Sequence, residues 1–296
     1  MSAAESGPHA RLAAQRVKGY RAPAHERGAH WLGQMVIFVG ICAILLPIFW
    51  IALTAFKTPR DVYSLSSPLL FTPTLDNLRT VFEHPWNLGG KIFNSFAVAL
   101  GTVGMAIPMA TLAAYAFSRF DFRYKQGLFL AVIASQFIPA AVVVLPYFLM
   151  FKEAGLLDTR TALVLVNMSI VLPYAVWMMK GFIDAVPLEI EESAMVDGAS
   201  RARVIAEIVL PAALPGIITA AVFSFTLTWN EFLFALIISK QDALTLPIGL
   251  IGFRTERGDL WELMAAGGIL ITAPMFIISL LVQKQFVRSL TAGSVR

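Results

Sequence analysis

Six stretches of this chain are almost free of charge, and their length decides what it can fold into. They run 31–56, 94–118, 127–151, 161–179, 211–239 and 263–283, and Glu231 is the one charged side chain within them. A helix that crosses a bilayer needs about 20 mostly apolar residues to span about 30 Å of hydrocarbon, and its backbone groups must be bonded within the segment. The predicted fold class is therefore an all-α membrane protein with six transmembrane helices over 31–283. Residues 1–30 and 284–296 are expected to be tails. Composition agrees: 57% of residues are hydrophobic and 14% charged, against roughly 25% charged in a soluble protein. That excludes an ordinary soluble domain and a disordered chain. The single cysteine, Cys42, cannot close an internal bridge, which excludes a disulfide scaffold.

Orientation follows from the loops, because Lys and Arg concentrate on the cytoplasmic side. The tails and the second and fourth connections carry 14 Lys and Arg residues; the other three connections carry nine. Both termini are thus expected in the cytoplasm. The basic balance is a topology signal and needs no nucleic acid to explain it. The first 30 residues are rich in Ala, Arg and Gly without an apolar run, so they read as a disordered tail, not a cleavable signal.

Pro47, Pro108, Pro139, Pro146, Pro173, Pro215 and Pro274 lie inside the apolar stretches. Each removes a helix hydrogen bond, which neighbouring helices can re-satisfy. Singly they read as ordinary packing; together they suit a bundle that bends.

The fourth connection, 184–210, holds more information than a polar loop should. Pro187 suits the first position of a helix, and Leu188–Val196 follows as a short one. Gly198 can take positive φ and end it. Ser200 can cap a second helix with an apolar stripe of Val204, Ile205, Ile208 and Val209. Leu210, preceding Pro211, marks a boundary with the fifth span. The expectation is a cytoplasmic helical hairpin. Its acidic first arm (Glu189, Glu191, Glu192) runs against the positive-inside trend.

Glu192-Ser193-Ala194, Gly198 and Ile208-Val209-Leu210-Pro211 resemble the EAA signature of permease subunits in bacterial ATP-binding-cassette importers. All the spacings fit, and Ser193 stands where alanine is usual. Weaker stretches resemble the carbohydrate-importing permeases of the maltose-transporter type: Ala114–Phe120, Trp229–Phe232, Thr245–Leu250 and Leu290–Arg296. The resemblance implies the type I importer permease fold, with the hairpin as a coupling element seated on an ATPase. In that reading Glu192 pairs with a basic group of the ATPase, Gly198 permits the turn, and Ile208, Leu210 and Pro211 join the hairpin to the fifth span. Implied partners are a second permease, two ATP-binding subunits, an extracytoplasmic solute-binding protein and a sugar.

The chain has no phosphate-binding loop and no His/Cys cluster at metal-ligand spacing. No cofactor is expected here; ATP and magnesium would belong to the ATPase subunits, and the chain is not expected to be an enzyme.

A carboxylate inside a span is a functional hypothesis by default. Ser224, Thr228 and Glu231 are spaced i, i+4, i+7 and so fall on one helical face. With Trp229, Asn230, Gln136 and Asn167 they are the candidates for lining a pathway. The fifth connection is expected to face outward, and the resemblance makes Gly252, Phe253, Arg254, Glu256, Arg257, Gly258 and Asp259 candidates for contact with the binding protein. Two alternatives stand beside a sugar: a glycerophosphodiester, polyamine or amino acid as cargo, or a proton-coupled carrier with Glu231 as relay.

Overall fold

The computed structural model describes residues 24–64 and 69–292. Most of the first expected tail lies outside these residues, whereas 284–292 of the second continue the last helix. The chain divides into two units, Met1–Leu53 and Thr54–Arg296. The first is dominated by helix α1 (Ala24–Thr54), which starts inside the expected tail and contains the apolar window Gly33–Thr54.

The second unit is built on α2 (Leu88–Arg119), α3 (Lys125–Ala134), α4 (Ala140–Glu153), α5 (Arg160–Asp184), α6 (Leu188–Val196), α7 (Arg201–Ala212), α8 (Leu214–Trp229), α9 (Leu233–Ile238) and α10 (Trp261–Ala292). Four helices, α1, α2, α5 and α10, are long and apolar enough to cross a membrane; two bent helix pairs bring the number to six if each is one span.

The bends fall where the backbone loses a donor. Pro139 cannot donate to a helix, and Ile138 before it is extended (ψ 117°). The third stretch therefore breaks by 95° between Phe137 and Ala140 instead of forming one rod. The expected boundary at Leu210 is also displaced. A π turn over Ile205–Val209 lets the Leu210 N–H reach Ile205 O, and helix continues through Pro211. The break comes at Ala213 (φ −84°, ψ 0°), where α7 and α8 meet at 74°.

α2 and α5 make the broadest helix contact among the described residues. The reason is a run of small buried residues on α2: Ala99, Thr102, Ala106, Ala110 and Ala114. They let the backbones approach closely. At Gly101 a Cβ would already stand 3.1 Å from Val164.

At one end of this pair, Asp158 ties the chain after α9 to the start of α5. Its carboxylate accepts the N–H groups of Lys240, Gln241, Asp242 and Ala243 at 2.9–3.1 Å. Asn94 donates to the carbonyls of Asp242 and Leu244, and Arg160 holds Asn94 at 2.7 Å. The hairpin of α6 and α7 lies at the other end of the pair.

Candidate functional site

The hairpin is fixed first by local chemistry. Pro187 is the N-cap, one residue earlier than a first-turn proline, and Leu188 opens α6. The far end is a Schellman stop. The Ala199 N–H reaches Ala194 O at 3.0 Å and the Gly198 N–H reaches Met195 O at 3.1 Å. Gly198 takes φ +91°, as its position in the sequence predicts. The Ser200 hydroxyl then caps α7 by accepting the Arg203 N–H. α7 buries Val204 and Val209 in a cluster with Ala110, Ala114, Met179 and Ile183.

Tertiary contacts fix the hairpin's orientation. Glu191, 1% exposed, points inward; Glu192, next to it, is exposed. One Glu191 oxygen accepts Arg119 Nε at 2.7 Å and the other accepts the Tyr115 hydroxyl at 3.0 Å. Arg119 Nη2 also donates to the carbonyls of Ile183 and Val186 at 2.9 and 2.8 Å. Ile183 lies in the last turn of α5, and its carbonyl also accepts the Val186 N–H at 3.0 Å. One guanidinium therefore joins the end of α2, the end of α5 and the first arm of the hairpin. Arg201 at the start of α7 lies 4.6 Å from the centroid of the Phe120 ring, adding a second tie. Removing one partner of a buried ion pair typically costs about 3–5 kcal/mol, because the other charge is left unpaired.

With Glu191 turned in, α6 presents Glu189, Glu192, Ser193 and Val196 outward. These are spaced i, i+3, i+4, i+7 and share one face. Val196 is 87% exposed at the tip. The outer face is thus acidic with an apolar knob, on a rigid support. Ala194 sits at the edge of the core cluster, with Ile208 beside it.

The pathway candidates are not brought together. α8 ends at Trp229, so Glu231 leaves the face that carries Ser224 and Thr228, both buried. Glu231 accepts the N–H groups of Phe234 and Ala235 at 2.7 and 3.1 Å and so caps α9. Trp229 is 1% exposed; its indole N–H donates to Ile271 O, and its ring is stacked on Phe225 and tilted against Phe96. Its faces are already covered by Phe225 and Phe96, which is not the open setting expected of a pathway-lining residue. Asn167 donates to Leu163 O within its own helix. Asn230 is exposed, with its amide on Thr226 O. Gln136 borders a groove of about 500 Å³ at the α3–α4 break, with Tyr147, Ser169 and Tyr174.

The fifth connection folds as a two-stranded hairpin, β1 (Arg254–Thr255) and β2 (Gly258–Asp259), with Gly258 at φ +117°. Glu256 and Arg257 are exposed at its tip, and Gly252 is exposed at its base. Arg254 pairs with Asp259, whose carbonyl accepts the Tyr63 hydroxyl. Phe253 is fully buried against Trp86, which corrects its expected part as a contact residue: it anchors the loop.

Sequence reasoning missed Arg119, Glu191, Tyr115 and Asp158. Tyr115 and Arg119 lie in the stretch Ala114–Phe120, noted only for its resemblance, and Arg119 was otherwise counted as a topology charge.

Jointed apolar helices with a capped helical hairpin at one end define a membrane permease of the importer type. A family of binding-protein-dependent transport system inner membrane components matches residues 106–292, and the chain belongs to that family. It is 32% identical over 267 residues to the diacetylchitobiose uptake system permease protein DasC of Streptomyces coelicolor, covering 88% of this chain and 94% of that protein. It is 30% identical over 274 residues to the trehalose transport system permease protein SugB of Mycobacterium tuberculosis, covering 92% and 98%. Among solved structures, a chain of a bacterial ABC transporter involved in the import of the acidic polysaccharide alginate superposes with TM-score 0.77 at 17% identity, covering 90% and 99%. The fold is that of the type I importer permeases.

Proposed function

We propose that the chain carries a sugar or oligosaccharide across the bacterial inner membrane, as one of two permeases in an ATP-driven importer. The observation that carries this reading is the hairpin: a preformed, capped, core-anchored element with an exposed acidic face, in a chain that lacks a nucleotide-binding loop. Two ATPase subunits supply the hydrolysis, and each grips a permease through such a hairpin. In this chain Glu192, with Glu189 beside it, meets basic groups of the ATPase, and Val196 enters an apolar recess. Gly198 keeps the turn tight. Ile208, Leu210 and Pro211 pass the motion into α8. A binding protein delivers the solute at the opposite end, where Glu256 and Arg257 stand free at the β-hairpin tip. The hairpin and both termini are then cytoplasmic, as the Lys and Arg distribution requires. The names of the relatives favour a neutral sugar as cargo. Among the pathway candidates, Gln136 and Asn230 are the accessible polar groups. Glu231, with both oxygens engaged by backbone donors, suits a helix cap better than a proton relay.

The test is uptake of a labelled sugar panel, including trehalose and diacetylchitobiose, by cells lacking the chain and complemented with variants. Glu192→Lys and Gly198→Pro are each expected to lower uptake by about tenfold or more at unchanged membrane abundance. Proline holds φ near −65° and cannot follow Gly198 to +91°. Normal uptake by both variants would remove the hairpin from the coupling role.

A further inference from the structure

We propose that Arg119 is a positioning residue for energy coupling: through Glu191 it sets the rotational phase of α6 and binds the hairpin to α2 and α5 as one body. The proposal rests on the hairpin's docking to an ATPase.

Adjacent carboxylates on a helix point about 100° apart. Glu191 and Glu192 therefore cannot both face the core or both face a partner. Which of them faces out depends on what holds the other. Glu191 is held at both oxygens, by Tyr115 and Arg119, which stand one helical turn apart on α2. Two donors on one rigid helix pin the Glu191 carboxylate against α2 and so keep that side of α6 turned toward the core. Its rotation decides that Glu189, Glu192, Ser193 and Val196 are the surface on offer.

The second part of the inference comes from the other donors of Arg119. Its Nη2 is bonded to Ile183 O and Val186 O, which lie at the end of α5 and in the link to α6. A planar fork holds its donors in fixed directions toward the three acceptors, whereas the three donors of a lysine ammonium rotate about one point charge. The guanidinium side chain is 9% exposed and the Glu191 side chain 1%. The other five ion pairs among the described residues each have at least one side chain more than a third exposed. The Arg119–Glu191 pair is thus placed, largely out of solvent, at the joint between the hairpin and the two helices that pack most broadly together. A force applied to the outer face of α6 reaches α2 and α5 through charge-assisted bonds largely shielded from water. The same joint held by apolar packing alone would allow α6 to roll.

The complete importer, with its second permease, ATPase subunits and binding protein, is reconstituted in proteoliposomes. Labelled cargo taken from the uptake panel and hydrolysed ATP are measured together for wild type, Arg119→Met, Glu191→Gln and Tyr115→Phe. A photoreactive probe on Val196→Cys reports which ATPase segment faces the hairpin tip. Expected are a fall of about tenfold or more in solute moved per ATP for Arg119→Met, a fall of about two- to fivefold for Tyr115→Phe, and a shift of the Val196 cross-link to a different ATPase segment in Arg119→Met. An unchanged solute-to-ATP ratio with an unshifted cross-link overturns the proposal. A lower yield of assembled importer whose surviving fraction keeps the wild-type ratio also overturns it, because Arg119 then serves folding alone. If Arg119→Met does not assemble, Glu191→Gln and Tyr115→Phe decide by the same two criteria. If the probe on an otherwise unaltered chain never reaches the ATPase, the docking reading itself fails, whatever the variants do.

Discussion

A carboxylate's neighbours, more than its place in the sequence, decide what it does in this chain. Asp158 shows this most directly. Partial burial raises its pKa, but four backbone N–H groups outweigh that and hold it below the ordinary aspartate range. The sign follows: a depressed folded pKa contributes stability that is present above the unfolded value of about 3.9 and is lost as pH falls through the folded value. Asp158→Asn is expected to destabilise the detergent-solubilised protein at pH 7 by about 1 kcal/mol after solvent screening. The difference should close as pH drops below about 4, which thermal melts followed by tryptophan fluorescence would record. An equal difference at pH 7 and pH 3 would show that the charge is not responsible. Little of this was visible in the sequence, because the donors lie more than 80 residues away. The same distance hid the division of labour between Glu191 and Glu192: both fall in an acidic run, and what separates them is Tyr115 and Arg119, 76 and 72 residues earlier. Trp229 was misjudged for a related reason. In an apolar helix every face is apolar, so periodicity does not say which aromatic is enclosed.

Elements were legible where their ends are made locally. Gly198 and Ser200 delimit the hairpin within a few residues of themselves, so their spacing was enough. The broken spans were not legible in the same way. Pro139 marked a kink, but whether a proline bends a helix or severs it depends on the packing around it. At Pro211 a π turn absorbs the missing donor, and the break moves to Ala213. Close packing on the α8 side of that break gives a further test. Gly216 is buried near the start of α8, and a Cβ there would lie 2.2 Å from Phe182 Cγ. Gly216→Ala is expected to destabilise by about 1–3 kcal/mol, since the obstruction is the root of a ring with little freedom to move. Adding Phe182→Ala should recover part of that loss in the same melts. A neutral Gly216→Ala would mean that α8 can slide away from α5 without penalty.

For the whole molecule, the proposed six-span topology predicts that the two hairpins, α6–α7 and β1–β2, open to opposite sides of the membrane. The chain has one cysteine, Cys42, so Cys42→Ser gives a background without thiols. In it, Val196→Cys should react with an impermeant thiol reagent only from the cytoplasmic side, and Arg257→Cys only from the other. Labelling of both from one side would refute the six-span topology. The angle at Ala213 gives this topology a mechanical meaning. α7 and α8 meet at 74°, close to a right angle. Such an elbow is a bell crank: a tug on the short arm along the membrane normal comes out as a sideways sweep of the long one. α8 is 16 residues, about 24 Å, so a tilt of about 5° swings its far tip by about 2 Å. If an ATPase grips the hairpin as proposed, strokes of ångström size there would reappear, turned through a corner, at the far tip of α8.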